Sequence, residues 1–379
     1  MRAELAAAVA DGWRAAVEAV PRHRFVPGFY LPAEQLSPRG LTWWEPVTAK
    51  LDPERWLTAA YTNQTLVTQF DGDEPDWDRP EPRDGGSPTS SSTLPSLVVE
   101  MWEDADLAEG QDILEIGTGT GYSTALVCER YGSDAITSIE VDNHRLERAA
   151  GALFGLGYVP GLAVADGLYG YWPSAPFDRI VAACAVRVIP RAWIAQTRPG
   201  GKILTTLGGW QYGFGRTLLT VREDGTASGP LLPGTISFML ARPHQPPGFG
   251  NPAHWLSLVA DARPTLARHP EIDWLDAWTE EAFFTRFLIQ SALPTSQVAG
   301  VDGVTCLIDI DSGSVAELVS EGDELRVRQA GPVRLWDRAE EVLAAYEAAG
   351  RPGSEEFRLT VDGTGQWLRH PEMPVLVLG

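Results

Sequence analysis

The stretch that decides the fold is Ile113-Leu114-Glu115-Ile116-Gly117-Thr118-Gly119-Thr120-Gly121-Tyr122. An apolar run leads straight into three alternating glycines, and helix-compatible sequence follows over 121–131. Glycine reaches positive φ and allows close backbone approach, so the segment reads as a strand–turn–helix junction. A tight packing turn would carry the same glycines, and the surroundings decide between the two. The G-x-G-x-G spacing differs from the G-x-G-x-x-G that seats a pyrophosphate on a helix N-terminus. Glu115, just ahead of the turn, would repel such a group.

Working outward, short apolar runs at 113–116, 136–139, 162–164, 179–182 and 202–206 alternate with helical segments at 121–131, 143–156 and 190–197. Continuous apolar runs are what parallel strands covered on both faces look like. The alternation predicts an α/β fold with a mostly parallel, Rossmann-like sheet. Residues 217–221 and 226–231, around Glu223-Asp224-Gly225, predict an appended antiparallel hairpin. Glu140 ends the second run, and Ala165-Asp166-Gly167 follows the third. Open α/β sheets bind ligands at the carboxyl ends of their strands. There, Glu115 suits a ligand bearing an amino group and a sulfonium, as S-adenosylmethionine does. Glu140 can accept both ribose hydroxyls of an adenosyl group, and Asp166 can reach the adenine edge.

Several further segments resemble one family. Ala19-Val20-Pro21-Arg22-His23-Arg24-Phe25-Val26-Pro27 is similar to the VPRHxFVP signature of protein-L-isoaspartate O-methyltransferases, and 114–122 to their LEIGTGSGY. Leu156-Gly157-Tyr158, Ala165-Asp166-Gly167, Ala175-Pro176-Phe177-Asp178-Arg179-Ile180, Val188-Ile189-Pro190 and Arg198-Pro199-Gly200-Gly201 follow in the family's order. The resemblance implies the S-adenosylmethionine-dependent methyltransferase fold, with S-adenosylhomocysteine as the product. It assigns cofactor contacts to Glu115, Gly117, Thr118, Gly119, Gly121, Tyr122, Glu140, Val141, Asp166 and Gly167, and no metal.

The departures carry information too. Where the family has GQTISxP, this chain has Thr89-Ser90-Ser91-Ser92-Thr93-Leu94-Pro95. The acidic insert 71–92, with seven acids and four prolines, reads as a solvated or mobile loop that becomes a Ser/Thr-rich turn. Its acidic part, 71–88, and the segment 244–379 are absent from the compact repair enzymes. Gly331-Pro332-Val333-Arg334-Leu335-Trp336-Asp337, with 357–361 and 366–368, resembles extended methyltransferases of actinobacterial lanthipeptide, lasso and graspetide clusters. The expected domains are a catalytic one over 1–243 and a small α+β C-terminal extension over 244–379, with strands near 304–309, 324–328 and 356–361 and a helix over 335–348.

Carboxyl methylation needs no general base, because a carboxylate with a pKa near ~4 is ionised at pH 7. It needs positioning. Hydroxyls hold the anion without neutralising it, which makes Ser91, Ser92 and Thr93 the catalytic candidates. The expected activity is esterification of an aspartate-derived side chain in a ribosomally made peptide, leading to succinimide (aspartimide) and isoaspartate. The alternative is repair of isoaspartyl proteins, and a remote one is a non-catalytic nucleoside-binding regulator.

The resemblance implies peptides or proteins carrying aspartate or isoaspartate as partners, and charge argues against two other kinds. The chain has 379 residues, with 51 acids against 30 basic residues and a net charge of −21. That balance argues against a nucleic-acid backbone or an anionic membrane as partner. Cys128, Cys184 and Cys306 lie far apart, without metal-ligand or disulfide spacing. No apolar run approaches the ~18 residues of a membrane span. Glu4 and Asp11 interrupt the first residues as no secretory signal would, and the expected location is the cytoplasm.

Overall fold

The computed structural model describes every residue except 235, 271, 302, 303, 323 and 379. It forms two compact units, Met1–Ala183 with Ala195–Leu204, and Cys184–Ile194 with Thr205–Gly379.

The first unit opens with helices α1 (Arg2–Ala7) and α2 (Arg14–Ala19), separated by a turn and a single 3-10 turn over Asp11–Trp13. Strands β1 (Gly28–Leu36) and β2 (Thr42–Thr48), helix α3 (Pro53–Ala60), and strands β3 (Leu66–Phe70), β4 (Arg83–Asp84) and β5 (Pro88–Ser92) follow. Together the strands make an antiparallel sheet in the order β4-β2-β1-β3-β5. The sequence over 25–61 gives no clear alternation because β2 is half-buried on both faces, so its strands are found only in the structure. The hydroxyl-rich end of the acidic insert is also a strand rather than a turn. Leu66 faces Ser92 and Val67 faces Ser91 across the β3–β5 ladder, and Ser90 and Ser92 are buried.

Helix α4 (Pro95–Asp104) leads to the alternating part of the unit: β6 (Ile113–Ile116), α5 (Tyr122–Tyr131), β7 (Ile136–Glu140), α6 (Asn143–Phe154), β8 (Gly161–Val164) and the first residues of β9 (Phe177–Val186). β6 pairs in parallel with β7 and β9, and β7 with β8. Ile113, Leu114, Ile136, Ile139, Ile180 and Val181 are buried between helical layers. This is the predicted parallel core, and it sets the ends of β6, β7 and β8 side by side.

Helix α7 (Arg191–Gln196) and strand β10 (Thr197–Gly208), like β9, each contribute residues to both units. In the second unit, β11 (Phe214–Val221) and β12 (Ala227–Pro230) form the expected hairpin, with Val221 opposite Ala227. Helix α8 (Pro252–Val259), strand β13 (Thr265–Leu266), helices α9 (Asp273–Asp276) and α10 (Glu280–Ala292), strands β14 (Ser296–Val301), β15 (Val304–Asp309), β16 (Ser314–Glu321) and β17 (Glu324–Ala330), and helix α11 (Leu335–Ala348) follow. The last elements are β18 (Arg358–Val361), β19 (Gln366–Arg369) and β20 (Leu376–Val377). β18 pairs with β12, Ala227 opposite Val361, so the hairpin closes on C-terminal strands and the 243/244 division lies inside this unit. A second antiparallel sheet, in the order β13-β17-β16-β15-β14, packs Cys306, Ile308 and Val315 on Trp255 and Val259 of α8. Helix α11 spans the residues its amphipathic pattern predicts. Among the described residues no helix is long and apolar enough to cross a membrane.

Candidate functional site

The glycine turn is built as its sequence demands. Gly117, Gly119 and Gly121 all have positive φ, at +98°, +54° and +85°, a region that side chains with a β-carbon rarely enter. Gly117 and Thr118 donate their N–H groups to the Ile139 carbonyl at 2.8 and 3.2 Å, which ties the turn to the end of β7. Glu140 completes the tie. Its Oε2 accepts from Gly119 N–H at 2.9 Å, and its Oε1 from Val141 N–H at 2.9 Å and Asp142 N–H at 3.2 Å. A carboxylate has about four acceptor positions, so one remains on this half-buried group for an incoming hydroxyl.

Asp166 stands at the next strand end. Ala165 N–H donates to the Glu140 carbonyl at 2.9 Å, and Asp166 Oδ1 accepts from Leu168 N–H at 2.9 Å, capping the turn 167–169. Gly167 is required there, because a β-carbon would fall 2.3 Å from Ile116 Cγ2. Gly117, Gly119, Glu140, Val141, Asp166 and Gly167 therefore share one accessible rim.

Four other candidates lie beneath it. Glu115 is 0% exposed, and its Oε2 accepts from the Thr124 hydroxyl at 2.5 Å and the Ser138 hydroxyl at 2.7 Å. Burial pushes its carboxyl above the usual range; the Thr124, Ser123 and Ser138 hydroxyls oppose the shift, and the Glu140 charge adds to it. Thr118 bonds the Ser138 hydroxyl at 2.7 Å, and Gly121 and Tyr122 are buried with it. The side chains of Glu115, Thr118 and Tyr122 lie below the rim rather than on it. On β6, Glu115 points inward between α5 and β7, and it supports the turn from below.

The hydroxyl cluster divides in the same way. The Ser91 carbonyl oxygen lies 3.7 Å from where a β-carbon on Gly119 would sit, so β5 ends beside the glycine turn. Ser91 and Thr93 are half-buried, and neither hydroxyl bonds another described residue. Ser92 is different: it is buried, and its Oγ accepts from Arg22 Nε at 3.3 Å. Ser92 is thus withdrawn from the substrate-facing set.

Arg22 is the residue that sequence reading passed over, although it stands in the quoted Pro21-Arg22-His23 segment. It is fully buried, and its fork reaches the carbonyls of Ala60, Thr62, Gln64, Ser92 and Thr93. The segment carries three basic residues in a row, Arg22-His23-Arg24, and nothing local marks Arg22 as the buried one. The acidic insert is anchored too: Glu74 pairs with Arg145 and Arg148 of α6, and just ahead of the insert Gln69 of β3 donates to Asp142 Oδ2 at 3.0 Å.

The family model of protein-L-isoaspartate(D-aspartate) O-methyltransferase (PCMT) matches residues 54–222. A protein-L-isoaspartate O-methyltransferase of Thermococcus onnurineus is 36% identical over 135 residues, covering 35% of this chain and 60% of the relative. Protein-L-isoaspartate O-methyltransferase 1 of Archaeoglobus fulgidus is 35% identical over 158 residues, covering 41% and 65%. The chain thus spans about 60% of the length of the curated relatives it matches. A solved protein-L-isoaspartate O-methyltransferase aligns over 98% of this chain and 100% of its own, with a TM-score of 0.52 and 20% identity, a likeness of fold. The architecture is that of the S-adenosylmethionine-dependent methyltransferases, and residues 54–222, less than half of the chain, are similar to the protein-L-isoaspartate(D-aspartate) O-methyltransferase family.

Proposed function

We propose that this protein is an S-adenosylmethionine-dependent carboxyl O-methyltransferase acting on isoaspartyl side chains of peptides and proteins. The observation that carries the reading is the adjacency of two unlike surfaces. A carboxylate rim with one open acceptor position, at Glu140, lies beside a strand end that offers the unbonded hydroxyls of Ser91 and Thr93.

The rim fits an adenosyl donor. The positive-φ glycines leave the turn without side chains, Glu140 can take a ribose hydroxyl, and Asp166 stands where a base edge would pass. When bound, S-adenosylmethionine supplies a methyl group on a positively charged sulfur. The substrate carboxylate is ionised at neutral pH, so the residues around it need not remove a proton. Thr93 and Ser91 would donate hydrogen bonds to one carboxylate oxygen and leave the other free to attack. Their contribution is orientation and exclusion of water, a term that reaches several kcal/mol in aligned pairs. The methyl ester then loses methanol to the next backbone nitrogen, giving a succinimide without help from the protein.

A second reading, modification of a ribosomally made peptide, is favoured by the Ser/Thr strand 89–93 and by a large second unit. One assay separates the two. The full chain is incubated with S-adenosylmethionine and either an isoaspartyl peptide, its aspartyl twin, or a constrained ribosomal peptide. Mass spectrometry follows methyl gain and methanol loss. Turnover of the isoaspartyl peptide supports the first reading, turnover of the constrained aspartyl peptide alone supports the second, and no methyl transfer to any carboxylate overturns both.

A further inference from the structure

Arg22 presents a buried cation with no carboxylate in ion-pair range among the described residues. Its guanidinium is solvated by peptide dipoles instead. Nη1 reaches the Ala60 and Thr62 carbonyls at 3.4 and 3.0 Å, and Nη2 the Gln64, Ser92 and Thr93 carbonyls at 2.9, 3.0 and 3.2 Å. An isolated charge away from water is costly unless such partners surround it. Burial lowers its pKa to about 10, so the group is still a cation at neutral pH.

What this arrangement fixes is specific. The two peptide planes that flank the Thr93 α-carbon carry the Ser92 and Thr93 carbonyl oxygens, and one nitrogen, Nη2, holds both. The second plane is pinned at its other end as well, because Leu94 N–H donates to the Thr65 hydroxyl at 3.2 Å. Two fixed peptide planes determine where the β-carbon between them points. The guanidinium also lies 5.7 Å from the centroid of the Tyr122 ring, in the first turn of α5 behind the glycine turn. A planar fork with five N–H groups can span these acceptors, and an ammonium cannot.

We infer that Arg22 is a positioning residue for the methyl acceptor: by holding both planes around Thr93, it sets the direction in which the Thr93 side chain leaves the backbone, without touching substrate. The inference rests on the carboxyl-methylation reading for its catalytic consequence, though not for its structural one. A misplacement of ~1 Å in such a group lowers rate by about 10²-fold.

The test uses the full chain with Arg22→Lys. The expected result is a fall of about 100-fold in kcat/KM for the isoaspartyl peptide, carried mainly by kcat. S-adenosylhomocysteine affinity stays within about twofold, and amide exchange at 92–94 and 62–65 accelerates. Should the lysine variant fail to fold, Thr65→Val removes the pin on Leu94 N–H and Ser92→Ala the hydroxyl that accepts from Arg22 Nε, and each is expected to lower kcat/KM about fivefold, one hydrogen bond's worth. Retention of kcat/KM within about threefold by every folded variant overturns the inference, as does a parallel loss of S-adenosylhomocysteine affinity. If the wild type transfers no methyl group, the function reading fails by itself. Exchange at 92–94 then decides the positioning claim, and an unchanged exchange rate defeats it.

Discussion

The glycine-turn rim and the hydroxyl corner solve opposite electrostatic problems with the same material. At the rim an anion, Glu140, is held by three backbone N–H groups; at the corner a cation, Arg22, is held by five backbone carbonyls. The rim is local and half-open, since all its donors lie within about two dozen residues of Glu140. The corner gathers segments as much as 71 positions apart and is closed to water. A charge that water can still reach tolerates the loss of a partner, whereas a dry one does not. The corner should therefore be the fragile element and the rim the adaptable one.

The harshest way to break that contrast is Arg22→Met. The substitution removes the cation and leaves several buried carbonyls without donors, each costing ~1–3 kcal/mol where water cannot enter. The expected loss is about 3–5 kcal/mol, read by denaturant unfolding. A loss below ~1 kcal/mol would mean that the corner hydrates freely, and the comparison would fail.

Glu115→Ala comes next. It strands the Thr124 and Ser138 hydroxyls and opens space under the turn, for an expected loss of about 2 kcal/mol. Glu115→Gln keeps the volume and sharpens the point. Because the Glu115 pKa is raised in the folded state, its stabilising contribution is complete below the ordinary carboxylate value and is lost as pH rises through the raised one. The wild type's advantage over Glu115→Gln should shrink as pH rises through that window in thermal melts. An advantage that grows with pH would show that Glu115 is ionised and compensated.

Glu140→Ala should leave the fold nearly intact and act on the ligand side. Its donors are backbone N–H groups at a half-exposed edge, which water can reclaim. Calorimetry with S-adenosylhomocysteine is expected to show a loss of about tenfold or more, since hydrogen bonds to a charged group contribute ~1.5–3 kcal/mol. Melting should move by only a few degrees.

These differences also explain which parts could be read in advance. The parallel core and the turn were legible because glycine spacing and continuous apolar runs are local signals. Helix α11 was legible for the same reason. The inward turn of Glu115 was not, because the inward or outward sense of a residue within a strand of four buried positions leaves no periodic trace. The five carbonyls around Arg22 come from segments that pattern reading cannot bring together, and the sheet order β4-β2-β1-β3-β5 depends on β2, whose alternation is hidden by half-burial on both faces.

The smallest expected effect lies beside the corner, at His23. Its Nδ1 lies 2.6 Å from the Tyr61 hydroxyl, its ring meets Trp56 edge-on, and Arg2 reaches the same hydroxyl at 3.3 Å. Desolvation, then the charges of Arg2 and Arg24, lower its pKa below the ordinary histidine value. The unfolded chain therefore binds the proton first as pH falls. Above the ordinary value of ~6.5 both states are neutral and His23 adds no slope; below it, stability declines until pH passes the lowered folded pKa. Melting temperatures between about pH 5 and 7.5 should decline more steeply with acid for the wild type than for His23→Gln. Equal slopes would mean that the imidazole takes up its proton without resistance, and the closed character assigned to this side of the corner would then end at Arg22 itself.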